Sequence, residues 1–152
     1  MSIRKAVMSD LGSVKRISAE TISVVYPHYY PKGAVEFFLD HHNESGIAED
    51  IKFGRVFLCE DKLLHTIGTV TIKGNEICRL FVLPEYQGRG FGRVMMDFAE
   101  EKILGEYDEV RLDASLPAKA IYLKRGYKTI SAEVILAKHG DFLCYDVMTK
   151  SI

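Results

Sequence analysis

Apolar residues recur along the chain with two different periods, and the switch between them marks the elements. Ser2–Val7 alternates in the manner of a short strand. Ser9 or Asp10 is then placed to cap a helix running to about Val25, with Leu11, Val14, Ile17 and Ile22 on one face. An aromatic break, Tyr26-Pro-His-Tyr-Tyr-Pro31, separates it from a second helix that starts near Lys32, turns Val35, Phe38 and Leu39 inward, and ends or is interrupted at Gly46. From Arg55 the period shortens to two. Val56–Glu60, His65–Ile72 and Glu76–Val82 are separated by Asp61-Lys62 and Lys73-Gly74-Asn75, turns short enough to predict an antiparallel meander. Past Pro84, Val94, Met95, Phe98, Ala99 and Ile103 form one helical stripe. Val110–Ala114 reads as a strand, Pro117 opens a helix that Gly126 closes, and Lys128–Ala137 with Phe142–Thr149 form a last hairpin about Lys138-His-Gly-Asp141. The order β-α-α-β-β-β-α-β-α-β-β predicts an α+β fold: a mixed, mostly antiparallel sheet of about seven strands flanked by about four helices, since only the two later helices cross between strands.

Composition narrows the function classes. A chain of 152 residues, 47 % hydrophobic and 27 % charged, matches one globular domain spanning residues 1–152. A net charge of −1 provides no general attraction to nucleic acid or to an anionic membrane, and neither is expected as a partner. No run approaches the ~18 apolar residues of a membrane span. Met1–Asp10 lacks the apolar block of a signal peptide, so the cytoplasm is the expected location. Cys59, Cys78 and Cys144 are expected as buried free thiols. The histidines lack partners at ligand spacing, so no metal is expected, and His41-His42 is expected as solvated surface at a helix end.

The most informative segment runs from Leu80 to Arg93. A strand ends at Val82, Pro84 stops its pairing, and Gly88, Gly90 and Gly92 follow at alternate positions before a helix. Glycine at three such positions costs backbone entropy, so the backbone must be bare for a reason. Unpaired N–H groups and the positive end of the helix dipole meet here, and Arg89 and Arg93 add charge, which makes a cradle for phosphate. A tight packing turn would use glycines in the same way. The dinucleotide fingerprint fails because it needs glycine at Arg93, and the Gly-Lys-Ser/Thr of the P-loop is absent.

Gln87-Gly-Arg-Gly-Phe-Gly92, standing between a strand that ends Val-x-Pro and an amphipathic helix, resembles the Gln/Arg-x-x-Gly-x-Gly/Ala signature of the GNAT superfamily of acyl-CoA-dependent N-acetyltransferases. The element order is similar to that family's along essentially the whole chain. The resemblance implies a GNAT-like fold with acetyl-CoA as acyl donor. The pyrophosphate would lie on the turn, drawing on Gln87, Gly88, Arg89, Gly90, Phe91, Gly92 and Arg93. The pantetheine arm would pair with the backbone of Leu80, Phe81 and Val82, along a bulged strand that splays from its neighbour, with an N–H near Val82 facing the thioester oxygen. Tyr122 and Gly126-Tyr127 match the family's Tyr-x-x-x-Gly-Phe/Tyr, which implies Tyr122 as the general acid toward the departing thiolate; an aromatic on an inner helix face is the other reading. Many members carry Asn near the start of this helix, where this chain has Ser115 in one register and Leu116 in the other. Ser115 would either bond the cofactor or cap the helix.

Three questions stay open at this level. Glu76 and Asp113 are candidate bases by location, although strand carboxylates are more often solvated. Tyr26, Tyr29 and Tyr30, beside His28, either line an amine site through cation–π contact or pack as a satellite core. Tyr145 faces either into the slot or away from it. The expected activity is transfer of acetyl to a primary amine, a small molecule for preference, by direct attack in a ternary complex. A non-catalytic acyl-CoA sensor on the same scaffold is the alternative. The resemblance also allows a homodimer, for which no residue in the sequence argues.

Overall fold

Strand alternation sets the layers. Val56 and Leu58 bury their side chains with Val14, Ile47 and Ile51, while the intervening Phe57 and Cys59 pack with Met95, Met96 and Ala99. The sheet therefore carries helices on both faces. A computed structural model describes residues 1–151. Its strands are β1 (Ser2–Lys5), β2 (Val56–Glu60), β3 (Thr66–Lys73), β4 (Glu76–Val82), β5 (Glu109–Ala114), β6 (Lys128–Leu136) and β7 (Phe142–Ser151), in the sheet order β1-β2-β3-β4-β5-β7-β6. Only β4 and β5 run parallel. Helices α1 (Leu11–Val25), α2 (Lys32–His41) and α3 (Glu44–Lys52) lie on one side, and α4 (Phe91–Leu104) and α5 (Leu116–Lys124) on the other. Among the described residues no helix is long and apolar enough to cross a membrane.

The α+β order is the expected one, with one addition. Gly46 does not end a helical region; it lies inside α3, which Asn43 starts by accepting the Gly46 N–H on its side chain at 2.8 Å. The second helical block is therefore two helices, α2 and α3, joined at a sharp corner. Asp10 precedes α1 but does not cap it. Its carboxylate turns back to the Val7 N–H at 2.8 Å and takes both terminal nitrogens of Arg4 at 2.9 Å, because a bidentate guanidinium outcompetes a helix N–H for the same oxygens. The cysteines divide: Cys59 is buried, Cys78 half-buried, and Cys144 exposed on the outer face of the final hairpin, contrary to the expectation of three buried thiols.

α5 presents no apolar stripe, and Tyr122 is its one buried residue. It is held instead by charge. Arg125, just past its end, bonds Glu100 of α4 through Nε at 3.1 Å and Nη2 at 2.8 Å, and Asp97 at 2.7 Å. The Tyr127 hydroxyl donates to Glu100 at 3.0 Å, and Lys150 Nζ donates to the same carboxylate at 3.3 Å. Burial opposes charge on Glu100, but Arg125, Tyr127 and Lys150 outweigh it and hold the carboxyl below its usual range. That contribution is present above the unfolded-state value and is lost as pH falls through the lower folded value. Glu100→Gln is expected to cost about 2 kcal/mol at neutral pH, and the gap from wild type should close on acidification. Urea unfolding at both pH values checks this; a gap that stays constant would show that Glu100 does not carry the clamp.

Candidate active site

β4 and β5 share two register pairs, Glu76↔Arg111 and Ile77↔Leu112, and then part. The remainder of β4 pairs with β3 alone, and a bulge sits within it: Arg79 faces Thr71 while Ile77 faces Ile72, leaving Cys78 as the extra residue. The bulge lets Ile77 bury on the α4 side while Arg79 and Phe81 turn to the α1–α3 side. The Leu83 N–H donates to Ile67 O on the β3 side at 2.9 Å. By strand alternation the main-chain groups of Leu80 and Val82 then face the opening. The Val82 carbonyl accepts from Gln87 Nε2 at 2.9 Å and from the Thr21 hydroxyl at 3.3 Å, so Gln87 braces the strand from the turn.

The glycine turn closes one end of this slot. Gly88 and Gly90 have φ of 74° and 89°, a left-handed backbone that other residues avoid. Gly90 occupies the N-cap of α4, where no side chain engages the first-turn N–H groups. A Cβ at Gly88 or Gly90 would meet nothing within 4 Å, and one at Gly92 only Val82 Cγ2 at 3.8 Å. Bare N–H groups thus face open space at a helix start. Arg93 lines it, and so does Lys124 from the last turn of α5, a cation that sequence reading missed although its place just before Gly126 was visible. Arg125 is neutralised by Asp97 and Glu100, whereas Arg93 and Lys124 enter no ion pair among the described residues. Arg89 leaves the slot. Its guanidinium lies 5.2 Å from the Tyr86 ring and 5.9 Å from Phe91, which itself packs on Tyr86.

Leu80, Phe81, Val82, Gln87, Gly88, Gly90, Gly92, Arg93 and Ser115 line one continuous cleft of about 1180 Å³, together with Tyr122, Glu76 and Asp113; Arg89 and Phe91 do not. Tyr122 is 9 % exposed, so it belongs both to the core and to the cleft wall. Burial, then Tyr26, pushes its pKa up, which keeps the phenol protonated. Ser115 stands at the N-cap of α5 without capping it, and its hydroxyl lies beside Tyr26. The helix cap comes from elsewhere: the Leu116 N–H donates to the Tyr30 hydroxyl at 2.7 Å. Tyr30 is therefore satellite core, packed on Tyr26 and Phe38, and its burial pushes the phenol up to about 12. Tyr29 is exposed and outside the cleft, and Tyr26 alone of the three lines it. Tyr145 faces in.

The far end is walled by Phe37, Phe38, His41, His42 and Tyr145, with Glu76, Asp113 and Lys73 at the rim. His42 is not solvated surface. It packs edge-on against Phe81 at 5.3 Å and accepts Arg79 Nε on Nδ1 at 3.1 Å. The corner between α2 and α3 folds the ring inward, which helical periodicity could not foresee. Glu76 and Asp113 are both raised, chiefly by burial; Asp113 adds to the shift at Glu76, and Arg111 opposes it at both. Among the described residues no group of three or more His, Cys, Asp or Glu is gathered as a metal would require.

A family model described as the acetyltransferase (GNAT) domain matches residues 25–140. The chain belongs to the GNAT acetyltransferases. These are acetyl-CoA-dependent acyltransferases, and the splayed strands and glycine turn lie inside the matched span. Solved structures carry the same fold end to end. A GCN5-related N-acetyltransferase from Rhodopseudomonas palustris shares 23 % identity at a TM-score of 0.89, over 99 % of this chain and 95 % of that one. PaiA N-acetyltransferase from Thermoplasma acidophilum, in complex with coenzyme A, shares 21 % at 0.75, over 99 % and 98 %. A phosphinothricin acetyltransferase from Sinorhizobium meliloti, in complex with acetyl-CoA, shares 16 % at 0.74, over 99 % and 88 %. No curated protein matches the chain in sequence.

In this acetyltransferase Glu76 is expected to sense Asp113. Carboxyl NMR should place Glu76 and Asp113 above ordinary values, and Asp113→Asn should bring Glu76 down. A Glu76 titration unchanged by that substitution would separate the two groups.

Proposed function

We propose that this GNAT acetyltransferase transfers acetyl from acetyl-CoA to the primary amine of a small molecule, with donor and acceptor bound together. The observation that carries the reading is the parting of β4 from β5 directly above the glycine turn, with the Tyr122 phenol on the slot wall. The residues fit the donor: left-handed glycines with open space before them, unpaired cations at Arg93 and Lys124, and strand backbone free to pair. Acetyl-CoA supplies a thioester carbonyl and a thiol leaving group. The turn and Arg93 hold the pyrophosphate, and the N–H groups of Leu80 and Val82 hold the arm, with Val82 toward the thioester oxygen. Tyr122 donates its proton to the departing sulfur, a modest task because a thiol has a pKa of about 8.5.

The far end supports a small amine. Phe37, Phe38 and Tyr145 enclose it, and Glu76 and Asp113 stand there without an ion-pair partner among the described residues. A carboxylate with a raised pKa is a better proton acceptor, so Glu76 or Asp113, directly or through water, takes the proton of the attacking amine. A raised value also dictates the pH profile: the base works only above its own pKa, so activity should fall on acidification at a pH above the ordinary carboxylate range.

Two measurements test this reading. Acetyl-CoA should raise the melting temperature, and Gly92→Leu should lose most of that shift while keeping the apo melting point, because Gly92 is helical and its Cβ direction is uncrowded. No shift with wild type at millimolar acetyl-CoA would sink the donor assignment. Tyr122→Phe should lower kcat by ~100-fold with the Kd for acetyl-CoA little changed, followed by thiol release across a panel of amines, peptides and aminoglycosides. An unchanged kcat would leave Tyr122 as core alone.

A further inference from the structure

One charged residue interrupts the apolar run of β4, and no step above uses it. Arg79 is 5 % exposed. Its Nη1 donates to Asp50 Oδ2 at 2.9 Å and to the Thr71 hydroxyl at 3.3 Å, and its Nε donates to His42 Nδ1 at 3.1 Å. These partners come from α3, from β3 and from the residue just past the end of α2. Asp50, itself buried, also holds Arg55 at 3.4 Å and Lys73 at 3.3 Å. Its charge is thus matched more than once, and Arg79 is more than a counterion. Only a guanidinium can reach a carboxylate, a hydroxyl and an imidazole from one planar fork.

The Nε contact decides the state of the ring. An Nδ1 that accepts carries no hydrogen, so the hydrogen sits on Nε2. The charged and titratable groups around His42 are Arg79 and Lys73 from the strands, His41 and Asp40 from α2, Glu44 and, behind the two strand cations, Asp50 from α3, and Lys15 from α1. Asp40 is paired with Lys138, Glu44 with Lys15, and both strand cations with Asp50, so burial is the main influence on the ring and the direct Arg79 contact the next. Burial, then Arg79, holds His42 neutral, pushed down to about 3. Arg79 also directly follows Cys78, the bulge at which β4 leaves β5.

We propose that Arg79 is the positioning residue of the acceptor wall: it fastens the α2–α3 corner to β4 beside the bulge and holds His42 as a neutral ring with its hydrogen on Nε2. His42 is then a fixed wall donor and not the base. The effect on the amine rests on the acetyl-transfer reading; the state of the ring does not.

Imidazole nitrogen NMR on the full chain tests both halves, with Arg79→Met and Arg79→Lys beside wild type. Wild-type His42 should show an unprotonated accepting Nδ1 and no titration between about pH 5 and 8. In Arg79→Met the ring loses both the Nδ1 contact and the neighbouring cation, so its titration should move up from the wild-type position, while burial keeps it below the ordinary value of about 6.5. Arg79→Lys should keep the pairing with Asp50, and with it the melting temperature, yet lose the Nε–Nδ1 contact, so the still neutral ring should show both the Nδ1–H and the Nε2–H tautomer, which a purely structural role would not predict. Both variants should bind acetyl-CoA within about threefold of wild type, while KM for the best amine of the panel rises ~10-fold with a smaller change in kcat. A wild-type His42 that titrates near about 6.5, a single Nε2–H tautomer retained in Arg79→Lys, or a ring freed of its fixed tautomer with unchanged amine KM would each overturn the proposal. Failure of wild type to bind acetyl-CoA would count against the transfer reading and leave the ring result standing.

Discussion

Each of the two central strands is committed to a different outer partner, and the site follows from that competition. β5 pairs with β7 along its whole length, from Glu109↔Ser151 to Ala114↔Asp146, and β4 pairs with β3 from Glu76 to Val82. Between themselves they hold only two register pairs. Sheet twist and the bulge at Cys78 carry them apart, and the main-chain groups of Leu80 and the N–H of Val82 are left facing the opening. An unpaired backbone group in a dry site costs roughly 1–3 kcal/mol. The slot is therefore a strand edge built to be completed by something extended, and the helix that begins at its mouth makes that something anionic at one end.

Charge along the cleft reinforces the direction. Unpaired Arg93 and Lys124 stand at the glycine end, while Glu76 and Asp113 stand at the other beside two uncharged imidazole rings. In a partly desolvated cleft such a gradient orients an anionic donor and a basic acceptor before any close contact forms. Tyr122 lines the same cleft, and the proposed function has donor and acceptor meet there. It stays on α5 because the Glu100–Arg125 clamp, rather than an apolar face, docks that helix.

Much of this was legible in the residues. Gly88 and Gly90 signalled a backbone that had to be bare, and their left-handed angles supply the reason. The strand order followed from period-two runs and short turns, since local spacing carries that information. What escaped depended on contacts between distant segments. Nothing local to Gly46 told a helix interior from a helix end, because the Asn43 cap and the burial of Ile47 decide it. Tyr30 and Tyr26 share one aromatic cluster in sequence, yet only the position of Leu116 settles that Tyr30 caps a helix. His42 looked like surface because its partner lies 37 positions away. The isolated arginine in the run Ile77–Val82 was the visible trace of that network, since a charge inside an apolar strand requires a buried partner.

β4 has two faces that serve different neighbours. Leu80 and Val82 belong to the layer beneath α4, whereas Phe81 and Leu83 belong to the layer under α1 and α2. Side chains on the two faces are separated by the thickness of the sheet, with Tyr86 packing against both layers, and sites away from that shared residue respond to substitution almost independently. Under the proposed function, a lineage could therefore recut the acceptor-facing layer, residue by residue, without disturbing how a thioester donor is gripped. A single strand used on both sides offers a physical route by which one donor comes to serve many acceptors.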